Sequence, residues 1–357
     1  MQYKWINDIA HTSSDYTIIE FYDTFDQKID PNTLPENLTN LIFGNNFNQE
    51  IDPNTLREKL TTLVFGFYFN QKIKPNTLPK NLINLTFGQR FNQKIEPNTL
   101  PKNLTNLTFG ISFRQKIKQN TLPVKLITLN LGYYFNQIIE PNILPKKLTT
   151  FIFSFNFNQK IKPDTLPEKL PTLIFGRFFN QKIEPNVLPK KLTTLAFGWE
   201  FNQIINPNVL PENLTTLTFG WKFNQKIEPN TLPENLTTLT FGGQFNQKID
   251  SEMLPSNSIN IKFNWIHLDK NNPIKHHIEM INNIPSYYHV EIFLDKNIFG
   301  INGPIWPIYV VNYEKHKWSP DIYDIYFEYT HPNYGSVVIL INKKTYQPYS
   351  SAKSAIK

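Results

Sequence analysis

The chain has 357 residues, with 36 Lys and Arg against 29 Asp and Glu, a net charge of +7 and no cysteine. That charge is too mild to demand a polyanionic partner, and the lack of thiols excludes disulfide caps, thiolate metal sites and cysteine nucleophiles. No apolar run approaches the ~20 residues that span a bilayer and Met1 to Glu20 holds no leader-like apolar core, so a soluble intracellular, cytoplasmic protein is expected.

Residues 1–24 precede the first periodic position. Within them Ile19 and Phe21 are two apart, the spacing that places side chains on one face of a strand, so this segment is expected to be a degenerate capping unit. From Phe25 the chain is periodic: a phenylalanine recurs every 22 residues, eleven times, ending at Phe245. A constant period of this size signals stacked repeats, none of which can bury its apolar face alone.

In the unit that begins at Leu38, the stretch to Phe43 is rich in Leu, Ile, Phe and Thr and predicts a short strand. Leu41 and Phe43 face inward and Asn40 and Ile42 outward, because strand side chains alternate. Gly44 then admits either a positive φ or a close backbone approach. The return half buries Phe47, Ile51 and Leu56. In most units it carries two prolines four residues apart, such as Pro75 and Pro79. Each restricts its predecessor, which leaves no room for a regular helix.

The glutamine two residues after the phenylalanine is present in all eleven units, and the asparagine before it in nine, with Asp26 and Arg114 as exceptions. Identical amides one repeat apart predict a structural hydrogen-bond ladder to each other or to turn backbone.

The unit Phe-Asn-Gln-x-Ile-x-Pro-x-x-Leu-Pro-x-x-Leu-x-x-Leu-x-Phe-Gly, running from Phe25 to about Asn264, resembles the FNIP repeat, a relative of leucine-rich repeats. The family is typical of social amoebae and of giant viruses that infect amoebae. The resemblance implies a right-handed, leucine-rich-repeat-like solenoid that is mainly β, with a parallel sheet of about eleven short strands and a helix-poor convex side. It also implies a non-catalytic role in protein–protein contact, including host–virus interaction. Many relatives carry an N-terminal F-box for ubiquitin-ligase recruitment, and the 24 residues before the first Phe-Asp-Gln are too few for one. Ordinary leucine-rich repeats place an asparagine nine residues into Leu-x-x-Leu-x-Leu. Here it falls at the eleventh position, Asn48 counted from Leu38, so different turn chemistry is expected.

The two residues after the strand glycine vary most and concentrate large side chains. Phe67, Tyr68, Arg90, Tyr133, Tyr134, Phe155, Arg177, Phe178, Trp199 and Trp221 are the candidate partner-binding residues, since aromatics and arginine dominate interface energetics. The alternative is that some fold back over the edge of the core. A second column is lysine in eight of eleven units, but from Lys74 to Glu184 the column two residues on alternates in sign. That pattern predicts an ion-pair-laced face, so nucleic-acid binding is not expected.

After Asn264 the register is lost. Residues 265–357 are read as a small α+β or β cap, with a short helix at Ile278–Ile284 and strands near Val290–Leu294, Ile308–Tyr313, Ile322–Tyr329 and Val337–Asn342. His276 and His277 beside Asp269 lack ligand spacing, so no metal site, cofactor or catalytic group is assigned. The leading expectation is a scaffold that binds a protein partner, of unknown identity and unknown oligomeric state, through the sheet and the aromatic strip. The alternatives are a ubiquitin-pathway substrate receptor and a self-assembling virion component.

Overall fold

The computed structural model describes residues 3–6, 15–257, 259–265, 289–294, 307–310, 325–331 and 335–341. The chain divides into two compact units, residues 1–192 and 193–357. Among the described residues there is no α-helix, and the repeats of both units form a parallel β-solenoid of about eleven turns in all. The expected helix at 278–284 and the histidines at 267, 276, 277 and 316 lie outside the described residues.

In the first unit the strands are β1 (Tyr3–Ile6), β2 (Ile18–Phe21), β3 (Asn40–Ile42), β4 (Thr62–Val64), β5 (Asn84–Thr86), β6 (Asn106–Thr108), β7 (Thr128–Asn130), β8 (Thr150–Ile152) and β9 (Thr172–Ile174). Each pairs in parallel with the next. The register shift is one repeat, so Leu41 lies opposite Leu63 and Leu63 opposite Leu85. Strands β3 to β9 are three residues long where the pattern suggested six, and they lie between turns, which for β3 end at Leu38 and begin at Gly44.

The rest of a turn of the solenoid consists of three β-turns. Phe47 N–H closes on the Gly44 carbonyl at 3.3 Å, Thr55 N–H on Asp52 at 3.3 Å and Leu60 N–H on Arg57 at 3.0 Å. The second of these is a Pro-Asn turn with positive φ at the asparagine, from 61° to 69° at ten positions from Asn32 to Asn230, Asp164 among them. Proline supplies the first corner and asparagine tolerates the left-handed second corner, which is the chemistry of a type II turn. The strand glycine sits at a close approach, where a Cβ on Gly66 would lie 1.8 Å from the Gly44 carbonyl oxygen, although Ser154 takes the same position in its own turn. Among the described glycines only Gly132 has a positive φ, 77°.

The core is a double file of stacked phenyl rings. Phe43 packs on Phe47 at 3.8 Å within its turn, and each meets its equivalent in the next turn, Phe65 at 5.6 Å and Phe69 at 6.0 Å. Ile19 and Phe21 on β2 are buried in the same core. Thr55, Thr77 and Thr99 behind Pro-Asn turns, and Thr121 behind Gln119-Asn120, are buried with hydroxyls that have no partner among the described residues, while Val187 and Val209 fill the same column with a methyl.

In the second unit β10 (Thr194–Ala196), β11 (Thr216–Thr218), β12 (Thr238–Phe241) and β13 (Asn260–Trp265) continue the same parallel pattern. A 3₁₀ turn at Ser251–Met253 precedes β13. Strand β14 (His289–Leu294) pairs in parallel with β13, and β15 (Pro307–Val310), β16 (Ile325–His331) and β17 (Gly335–Ile341) follow as an antiparallel meander.

Candidate functional site

The variable residues after each strand glycine occupy the two central positions of the first β-turn, so their side chains point away from the core. Turn is tied to turn beneath them: Tyr68 N–H donates to the Asn45 carbonyl, Arg90 N–H to Phe67, and Phe178 N–H to Phe155, at 2.9 to 3.0 Å. The side chains therefore stand on a hydrogen-bonded backbone ladder rather than on a free loop.

In the first unit Phe67, Tyr68, Tyr133, Tyr134 and Phe178 are exposed, Tyr68 by 49%, and Phe155 is half-buried. They form two clusters. Phe67 meets Tyr68 edge-on at 4.9 Å, and the Arg90 guanidinium lies over both rings. Tyr133 stacks on Phe155 at 4.2 Å and meets Tyr134 edge-on at 5.0 Å, and Phe155 meets Phe178 edge-on at 5.4 Å. Arg177 lies 5.6 Å from the Phe155 ring centre and 5.9 Å from that of Phe178. In the second unit Trp199 stacks on Trp221 at 4.9 Å, and the Trp221 ring covers Gly243, where a Cβ would come within 2.4 Å of it. Glycine at 243 thus makes room for the half-buried indole.

Three residues of this surface were not singled out from the sequence. Ile152 and Ile174 are register partners on β8 and β9, and both are exposed on the open side of the sheet. The signal for them was strand alternation, since their column also holds Thr86, Thr108 and Asn130. Arg114 replaces the ladder asparagine and turns its guanidinium to within 5.5 Å of the Tyr134 ring centre. Its signal was the break in an otherwise amide or carboxylate column.

That column is a ladder as the sequence suggested. Asn48 Oδ1 accepts from Asn70 N–H at 2.8 Å and from Gln71 Nε2 at 3.2 Å, and Asn70, Asn136, Asn158, Asn202 and Asn224 do the same one turn on. Asp26 serves equally, accepting from Asn48 and Gln49. Arginine has no oxygen to offer, so the Asn136 N–H above Arg114 loses this acceptor.

The lysine column is ion-paired along the stack. Glu96 lies 3.2 Å from Lys94 and 3.3 Å from Lys118, and Glu140 lies 3.9 Å from Lys116 and 3.1 Å from Lys162. Lys94 and Lys118 hold the Glu96 carboxyl below the usual glutamate range, and Lys28 does the same to Asp52. Hydrogen bonds from the Ser256 hydroxyl and N–H lower Glu234 likewise.

A cleft of about 140 Å³ opens beside Asn54, Arg57, Glu58, Asn76 and Thr77. Arg57 stands where other turns have proline, and it is committed to the Leu34 and Asn32 carbonyls and the Asn32 amide oxygen, which gives it a structural role. Among the described residues no three His, Cys, Asp or Glu side chains gather as metal ligands, and no helix is long and apolar enough to cross a membrane.

The repeat family described as FNIP Repeat matches residues 17–68, 69–112, 113–156, 135–178, 157–199, 179–222, 201–244 and 223–265. Among solved structures, that of CroV588, described as a novel circular LRR protein, aligns over 79% of this chain at 46% identity with a TM-score of 0.71. This chain spans 40% of that protein's length. The pneumococcal vaccine antigen PcpA aligns over 77% of this chain and 78% of its own at 11% identity, with a TM-score of 0.25, and carries no argument. No curated protein matches the chain.

Proposed function

The chain belongs to the FNIP repeat family, and on that premise we propose that it is a non-catalytic scaffold that binds a protein partner through the aromatic strip and the adjoining open face of the sheet. One observation carries this reading. Rings and guanidinium groups of the residue types that dominate interface hot spots are held outward, turn after turn, by a backbone ladder that fixes their spacing. Their ordering cost is met during folding of the solenoid, so little of it remains to oppose binding. Ile152 and Ile174 extend the apolar area of the second cluster onto the sheet. Residues 1–24 and 265–357 serve in this reading as caps of the repeat array between them.

The test is capture of partners from host-cell lysate by the full chain and by a Tyr133→Ala/Tyr134→Ala/Phe178→Ala variant. The exposed side chains contribute little to the core, so the variant is expected to unfold within about 1 kcal/mol of the native chain. It is also expected to lose at least tenfold in partner recovery. A Trp199→Ala/Trp221→Ala variant tests the second unit in the same way. Unchanged recovery in both variants would refute the docking role. The ligase-receptor and self-assembly readings have no observation of their own among the described residues.

A further inference from the structure

We propose that the strip of the first unit recognises an extended acidic peptide segment of its partner. This rests on the docking role above and adds the chemistry of what docks. From Phe67 to Phe178 the strip positions contain no carboxylate. The outward positions of β3 to β9 carry no charge of either sign, being Asn, Thr, Ile or Val throughout. Against this neutral background stand Arg90, Arg114 and Arg177, all exposed. Arg90 and Arg114 face aromatic rings and have no ion pair among the described residues, whereas the lysine column is neutralised along its own rungs.

Arg114 is the sharpest sign. It occupies a ladder position at the cost of an acceptor for the next turn; its N–H still donates to Asn92 Oδ1, but among the described residues its side chain meets only the exposed Tyr134. A departure from a local rule without structural compensation marks a functional position. Gly132, the described glycine with positive φ, immediately precedes Tyr133 and Tyr134, so the backbone also changes course where these rings are presented.

The ring geometry decides between an acidic peptide and a single-stranded nucleic acid. Bases stack on ring faces. Here each of these rings already has a face engaged: Tyr133 and Phe155 stack on each other, and guanidinium groups lie over Phe67, Tyr68, Tyr134, Phe155 and Phe178. The guanidinium groups offer planar N–H donors that match carboxylates. They ask for acceptors. Five steps of roughly 4.8 Å separate Phe67 from Phe178 along the stack, about 24 Å, which an extended segment of about seven or eight residues spans.

The experiment selects a phage-displayed library of random 12-residue peptides on the immobilised full chain, then measures one selected peptide by fluorescence anisotropy. Asp and Glu are expected at twice or more their frequency in the library. Affinity is expected to fall at least tenfold when the acids of the peptide become amides, and at least tenfold for Arg90→Gln/Arg114→Gln. Lys72→Gln/Lys94→Gln, which removes equal charge from the lysine column, is expected to change it less than twofold. Selected peptides without acidic enrichment, indifference to the arginine changes, or tighter binding of a U20 RNA than of the peptide would overturn the assignment. If that happens while the aromatic variant above still loses its lysate partner, only the acidic class falls. If the aromatic variant also behaves as native, the docking role falls with it.

Discussion

Asn76 sits at a φ of 63°, in the left-handed region where a Cβ meets the following carbonyl. Asparagine is among the side chains that tolerate it, glycine meets no penalty, and a β-branched residue pays most. Asn76→Gly is therefore expected to leave the urea midpoint nearly unchanged, whereas Asn76→Val lowers stability by about 1–2 kcal/mol. A valine variant that unfolds at the native urea concentration would contradict this account of the turn. The Pro-Asn pair that dictates the turn was legible in the sequence, although its prolines alone served only to rule out helix. Also legible were the inward leucines and phenylalanines, such as Leu41, Phe43 and Phe47, because apolar residues that recur at every period have no other place to go. Illegible was the burial of the Thr77 hydroxyl without a partner. Residue type marks threonine as a surface residue, and only the packing of successive Pro-Asn turns puts it inside.

The repeating element adds bonds that no single turn contains, since its amide and ion-pair rungs join residues 22 to 24 apart. At Arg114 the amide file is interrupted, and Arg114→Asn restores an acceptor in front of the Asn136 N–H. One hydrogen bond regained is worth about 1 kcal/mol, so this variant is expected to raise the denaturation midpoint while weakening binding of the partner. Higher stability with undiminished binding would place Arg114 outside the site. The carboxylates of the rungs set a pH dependence. Glu96, Asp52 and Glu234 titrate below their ordinary ranges in the folded chain. Their contribution is thus complete above the unfolded carboxylate range and is lost as pH falls through the lower folded values. Melting temperature is expected to be flat around neutrality and to decline through the acid range, less steeply in Glu96→Gln/Glu234→Gln than in the native chain. Equal slopes would show that these groups are not linked to folding. The strip was legible as a column but not as a surface, because variability along the sequence locates exposed positions without saying which rings cover one another. Tyr133 against Phe155 and Arg114 over Tyr134 come from the stacking of neighbouring turns, which no pattern of residue types encodes.

Across the first unit, a period of 22 residues has a consequence that separates fold from function. Backbone and side-chain rungs recur at sequence separations of 22 and 23, so removing one full period presents every ladder donor with an equivalent acceptor. Deletion of residues 92–113 joins Phe91 to Arg114, whose N–H would meet Asn70 Oδ1 as it now meets Asn92 Oδ1. Stability in a solenoid is nearly a sum of repeat and nearest-neighbour contributions, so the shortened chain is expected to keep its β-sheet circular dichroism and a cooperative unfolding transition with a modestly lower midpoint. Removal of residues 92–102 alone shifts every following turn by half a period, setting loops against strands, and is expected to abolish cooperative unfolding. The full-period deletion removes none of the candidate strip residues, yet it brings the Phe67, Tyr68 and Arg90 cluster one rung, about 4.8 Å, closer to the Tyr133 and Phe178 cluster. A partner that engages both clusters at their native spacing must then give up one of them, and its affinity is expected to drop at least tenfold while the fold persists. Native affinity in the shortened chain would show that the partner does not bridge the two clusters at their native spacing.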